Sequence, residues 1–158
     1  MAFLVILMLS IGFSFDWIPS DVSFKAPLRN AHKFVGVCIL FLVGMRVYFR
    51  SKNNPLPPAI PRWMQVSSYV SHAMLYLLMI CMPLSGWIMS TASGRMPGWF
   101  PLFIPGIPAS KIISNQFYNI HSWLALGFVA LICLHIIATI FHALRKEPVF
   151  SRMCLTQS

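Results

Sequence analysis

The sequence predicts an all-α integral membrane protein, a four-helix up-down-up-down bundle whose first helix is shortened. Three observations predict it. Hydrophobic residues make up 58% of the 158-residue chain and charged residues 9%, against about 25% charged in an ordinary soluble domain. Mean hydropathy is +0.73. The apolar residues also gather into four segments, at about residues 1–15, 28–49, 66–90 and 117–144, which the length accommodates as one domain spanning 1–158.

The first segment, Met1–Phe15, reaches only about 22 Å as a helix, short of a hydrocarbon core of roughly 30 Å. It opens without positive charge, so it does not read as a signal peptide. The expectation is a helix lacking its first turn or two. A polar connection, Asp16 to Pro27, leads to the second segment. The third follows a connection carrying Pro55, Pro57, Pro58 and Pro61, which cannot continue a helix. Pro83 and Gly86 predict a kink within it. The loop Thr91 to Asn115, rich in glycine and proline, is expected along the membrane surface before the fourth segment.

The net charge of +9 would point to nucleic acid in a polar protein. On a hydrophobic chain it reports orientation instead. Arg46, Arg50, Lys52, Arg62, Arg145, Lys146 and Arg152 flank one side, and Lys25, Arg29, Arg95 and Lys111 the other. The excess of cations puts both termini in the cytoplasm, and nucleic acid drops out as a partner. Trp17, Trp63 and Trp99 fall near span ends, at interfacial depth. Cys38, Cys81, Cys133 and Cys154 form no Cys-x-x-Cys pair, so neither a disulfide framework, a zinc site nor a c-type haem attachment is indicated.

The chemistry falls to histidine. Asp16, Asp21 and Glu147 all lie outside the spans, which excludes an intramembrane carboxylate relay, and no nucleophile-and-base spacing points to catalytic residues. His32 and His121 each sit about four residues after the start of a span that enters from the outer side. They share a depth, roughly 6 Å inside. Two imidazoles facing one another across a bundle can hold a haem iron with both axial positions filled, a site suited to electron transfer. His135 follows His121 by 14 residues, about 21 Å of rise and about 40° short of four turns, so both face the same way near opposite surfaces. Arg46 stands 14 residues after His32 and returns to the same face, as a partner for a haem propionate or as a snorkelling interfacial arginine. Gly36 and Ala125, one turn beyond His32 and His121, leave room for a macrocycle and equally for close helix packing. A lone histidine such as His72 or His142 more often serves helix packing.

The run Asn30-Ala31-His32-Lys33-Phe34-Val35-Gly36, the stretch Met82-Pro83-Leu84-Ser85-Gly86-Trp87-Ile88-Met89-Ser90 and the spacing His121-x13-His135 together resemble the prokaryotic cytochrome b561 family over nearly the whole chain. The resemblance implies a multi-pass protein of the bacterial inner membrane that binds haem b and passes electrons, from quinol or between a quinone pool and an unknown redox partner. Whether that amounts to quinol oxidoreductase activity stays open, as does homodimerisation in the surrounding lipid.

By the same resemblance His32 and His121 are the ligand pair of the outer haem and His135 is one ligand of the inner haem. The family's remaining ligand belongs just before the position of Met1, and no histidine stands there. Three readings follow: a chain that extends upstream, one complete haem site with a second incomplete, or His72 as substitute ligand. The family-like position of His72 also implies hydrogen bonding to quinone or propionate. Two other readings of the chain remain, a histidine-containing membrane transporter and a structural membrane anchor subunit without haem.

Overall fold

The computed structural model describes residues 1–52, 61–95 and 107–144. They form four helices: α1 (Ala2–Ser14), α2 (Lys25–Lys52), α3 (Arg62–Ala92) and α4 (Lys111–Leu144). The proline-rich connection, much of the α3–α4 loop with Trp99, and the C-terminal tail with Arg145, Lys146, Arg152 and Cys154 lie outside the described residues.

Helices α2, α3 and α4 are long and apolar enough to cross a membrane; α1, with 13 residues, is shorter. Each long helix outruns its apolar segment. Helix α2 starts three residues before the predicted span, α3 four and α4 six. Hydropathy marks where the hydrocarbon lies, whereas a helix continues into the interface until its backbone finds a stop. Pro27 falls in the first turn of α2, where a missing N–H costs nothing. At the head of α4 the Ser110 hydroxyl accepts from the Ile113 N–H at 3.4 Å. Helix α3 ends in a Schellman motif: Gly94 takes φ +69°, its N–H donates to Thr91 O (2.9 Å), and Arg95 N–H donates to Ser90 O (3.2 Å). Ser110 N–H then donates to Ala92 O at 2.9 Å, drawing the two ends of the α3–α4 connection together. Pro83 lies inside α3 and the helix continues through it.

Contacts between helices give the topology. Gly12 lies against His32 and Gly36 against Met8, so α1 and α2 run antiparallel. Gly36 also faces Pro83, while Arg46 bonds Tyr76 and Lys33 bonds the Arg95 carbonyl, an antiparallel α2–α3 pair. Ser85 meets His121 and Ser71 meets His135, so α3 and α4 are antiparallel as well. The expected up-down-up-down order is observed.

The dry core is small: Val5 and Met8 from α1, Ile39 and Val43 from α2, Leu78 from α3 and Phe128 from α4. Phe3, Phe41, Leu134, Ile137 and Leu144 point outward and are exposed. In water such a surface would aggregate; in lipid it is the solvated face. Trp17 (86% exposed) and Trp63 (67%) stand free at helix ends, as interfacial anchors do. Cys38, Cys81 and Cys133 are free thiols.

The core is one layer in a vertical series. Ile39 lies seven residues from both His32 and Arg46, Leu78 seven from both Ser85 and Ser71, and Phe128 seven from both His121 and His135. Seven residues are two turns, about 10.5 Å. The polar side chains therefore form two layers, about 21 Å apart, separated by apolar packing.

Candidate haem site

The outer layer surrounds a cavity of about 1240 Å³, larger than the roughly 300–1,000 Å³ of most small-molecule sites. His32 enters it from α2 and His121 from α4. Both were expected at one depth because both spans enter from the same side, and the antiparallel order produces that result although His32 is the seventh residue after Lys25 and His121 the tenth after Lys111. Gly12, Gly36 and Gly86 line the same cavity from α1, α2 and α3, with Ala125 on α4.

The two histidines differ in their surroundings. His121 Nδ1 lies 2.9 Å from Ser85 Oγ and 3.1 Å from Met82 O, so α3 holds its ring. A Cβ at Gly86 would come within 3.1 Å of His121 Cε1 and 3.3 Å of Nδ1; only glycine lets the ring lie this close to the α3 backbone. His32 packs edge-to-face on Phe15, with centroids 5.5 Å apart, and touches the space above Gly12 at 3.5 Å. Its buried Nδ1 has no hydrogen-bond partner among the described residues. Gly36 is less crowded than its sequence position implied: an added Cβ would meet Met8 and Pro83 at 3.8 and 4.0 Å, ordinary contact.

The mouth of the cavity is cationic. Lys25, Arg29 and Lys33, one turn apart on α2, line it together with Arg95 and Lys111; Asp16 is the carboxylate that lines it among the described residues. Lys33 Nζ donates to the Arg95 carbonyl at 2.7 Å, tying α2 to the end of α3. An opening of this kind attracts carboxylate groups.

The inner layer gathers the remaining residues singled out in the sequence. The rings of His72 and His135 are in edge-to-face contact, with centroids 5.3 Å apart. His72 Nδ1 is 2.8 Å from Ser68 O and His135 Nδ1 is 3.4 Å from Ser71 Oγ. Arg46 Nε donates to the Tyr76 hydroxyl at 3.1 Å, and Arg50 lies 5.9 Å from the centroid of the same ring. Arg46 is thus held by a phenol one turn above His72 and is not simply extended to the interface.

A haem fits the outer cavity on three counts. Its volume suits a macrocycle, its walls present two imidazoles from different helices, and one of these has a buried, unpartnered nitrogen. Among the described residues no group of three or more His, Cys, Asp or Glu side chains is placed to hold a metal ion. Ser71, Tyr76, Ser85 and Gly86 had no assigned place in the site from sequence. Depth along α3 was the usable signal: Ser85 lies about 20 residues into a span that enters from the inner side, level with His121.

The sequence matches the family profile described as prokaryotic cytochrome b561 over residues 1–155. It is similar to cytochrome b561 homolog 2 of Escherichia coli (strain K12), with 31% identity over 137 residues, 82% of this chain and 70% of that protein.

Proposed function

Since the chain belongs to the prokaryotic cytochrome b561 family, membrane proteins that carry electrons on haem b, we propose that it draws electrons from quinol and passes them through a haem held between His32 and His121. The observation that supports the reading is the placement of these two imidazoles, from α2 and α4, on one cavity of about 1240 Å³. When bound, haem b supplies a one-electron Fe(III)/Fe(II) couple. Held by both imidazoles, the group would serve electron transfer and not substrate binding.

The protein's own part is to bind, orient and exclude water. His32 and His121 hold the group, and Gly12, Gly36 and Gly86 keep the walls flat enough to admit it. Lys25, Arg29 and Lys33 neutralise its carboxylates at the outer mouth. Ile39, Leu78 and Phe128 close the floor with apolar side chains, a low-dielectric surround that holds the potential apart from that of haem in water.

The inner layer takes the quinol headgroup in this reading. His72 carries its proton on Nδ1, facing the Ser68 carbonyl, and offers Nε2 to a quinol hydroxyl, while Arg46 and Tyr76 supply further hydrogen bonds. Quinol oxidation releases two electrons, which a one-electron carrier would take in two successive steps, and two protons, of which His72 Nε2 is suited to receive one and water at the inner surface the other. His135 is the inner histidine for a second haem. A specific observation favours His72 as its partner: the two rings are already in contact. To hold a haem between them the two rings, now in edge-to-face contact, would have to separate and turn. The cytoplasmic placement of both termini rests on the cation distribution, and the bacterial inner membrane on the family.

A reduced-minus-oxidised visible spectrum of membranes carrying the chain, with haem quantified per polypeptide, tests this. A b-type spectrum that quinol reduces, lost from the outer site in His32→Ala and His121→Ala, is the expected result. No b-type signal refutes the reading and returns the chain to the transporter or anchor classes. Two haems per chain falling to one in His72→Ala would assign His72 as a ligand; one haem, unchanged in that variant, leaves it to the quinol.

A further inference from the structure

The outer histidines are not held alike, and the difference lies in α3. Ser85 is buried, 4% exposed, in the middle of an apolar helix. Its hydroxyl donates to Met82 O at 2.8 Å. With the hydroxyl proton used there, the oxygen can only accept from His121 Nδ1, 2.9 Å away. Met82 O, 3.1 Å from the same nitrogen, is an acceptor whatever its surroundings. Both neighbours therefore require the proton on Nδ1, and the lone pair of Nε2 is left for the cavity.

We propose that Ser85 is a positioning residue: its hydroxyl and the Met82 carbonyl lock His121 in the Nδ1–H tautomer, turn Nε2 toward the cavity and make this imidazole the stronger electron donor of the pair. His32 has no such device among the described residues, since its Nδ1 is buried without a partner. The two axial ligands are thus inequivalent, with α3 setting the strength of one. Groups in this outer position fix tautomer and ring orientation, and losing them typically weakens metal binding by about 10–100-fold. The glycine that follows, Gly86, lets the ring approach closely enough for both bonds to form. The inference rests on haem ligation by His121 as proposed above.

The experiment compares the full-length chain with Ser85→Ala and Ser85→Thr in detergent. Histidine-specific ¹⁵N NMR of haem-free protein reads the tautomer of His121, identified by its absence in His121→Ala. Haem transfer to a competing apoprotein reads affinity, and a redox titration reads the midpoint potential. Ser85→Ala removes one of two acceptors and leaves Met82 O to hold the proton on Nδ1, so it should shift the His121 Nδ1 resonance, weaken haem binding by about 10–100-fold and raise the midpoint potential, because a less electron-rich imidazole stabilises Fe(III) less. Ser85→Thr, which keeps the hydroxyl, should return all three toward wild type. Wild-type behaviour of Ser85→Ala overturns the proposal, and so does a threonine variant that behaves like alanine. A wild-type chain that takes up no haem would instead sink the functional reading, while the His121 Nδ1 resonance in haem-free protein would still report on Ser85.

Discussion

Replacing Gly86 with alanine adds one methyl group against the His121 ring, and two opposing effects decide the outcome. Alanine is the better helix former by about 1 kcal/mol. The new Cβ, however, would lie 3.1 Å from His121 Cε1 and 3.3 Å from Nδ1, where carbon atoms prefer roughly 3.5–4.0 Å. Overpacking of this kind costs about 1–3 kcal/mol, so the contact outweighs the propensity gain and the ring moves. The other glycines grade the effect. At Gly12 the nearest His32 atom would be 3.5 Å away and at Gly36 the nearest neighbour 3.8 Å; at Gly44 and Gly127 nothing lies within 4 Å. Haem retained per polypeptide and the ligand-field signature in electron paramagnetic resonance should therefore be disturbed most by Gly86→Ala, slightly by Gly12→Ala, and not by Gly44→Ala or Gly127→Ala. A Gly86→Ala protein with wild-type haem content and spectrum, or a Gly127→Ala protein with a larger defect, would refute the reasoning.

Phe128→Ala removes the largest side chain of the dry core, 4% exposed, and should cost about 3–5 kcal/mol in chemical denaturation in detergent micelles. Because Phe128 also lines the outer cavity, the surviving folded protein should show a shifted haem spectrum in the same reading; an unchanged spectrum would separate Phe128 from the haem site. Gly94→Ala places a Cβ at φ +69° and should lower stability by about 1–2 kcal/mol, seen as a reduced thermal midpoint. Tyr76→Phe removes the acceptor of the Arg46 bond at the inner layer. In the quinol reading it raises the KM for quinol with little change in the outer haem's spectrum; an unchanged KM would separate Tyr76 from the quinol site.

The histidine pair was legible because depth in a membrane is a one-dimensional quantity. Once the spans and their directions are known, counting along each helix places His32 level with His121 and Arg46 near His135, whatever the packing. The helix limits were less legible. The fourth apolar segment begins near Phe117, yet the serine cap at Ser110 starts the helix earlier. Gly36 was singled out by its one-turn spacing from His32, whereas the closest approach to a histidine occurs at Gly86, on a helix that spacing within α2 or α4 could not reveal.

By itself the sequence determined the membrane class, the number and order of the helices, their antiparallel succession and the place of each histidine along its helix, because these follow from hydropathy, loop length and rise per residue. Tertiary structure decided which faces meet. It brought Ser85 and Gly86 onto His121, left His32 Nδ1 unpartnered, joined His72 to His135 and held Arg46 on Tyr76. In an apolar helix nearly every face is hydrophobic, so the pattern that orients a soluble helix is weak. Rotation about the helix axis is then set by steric fit and by a few hydrogen bonds between helices, terms that exist only once the neighbours are in place.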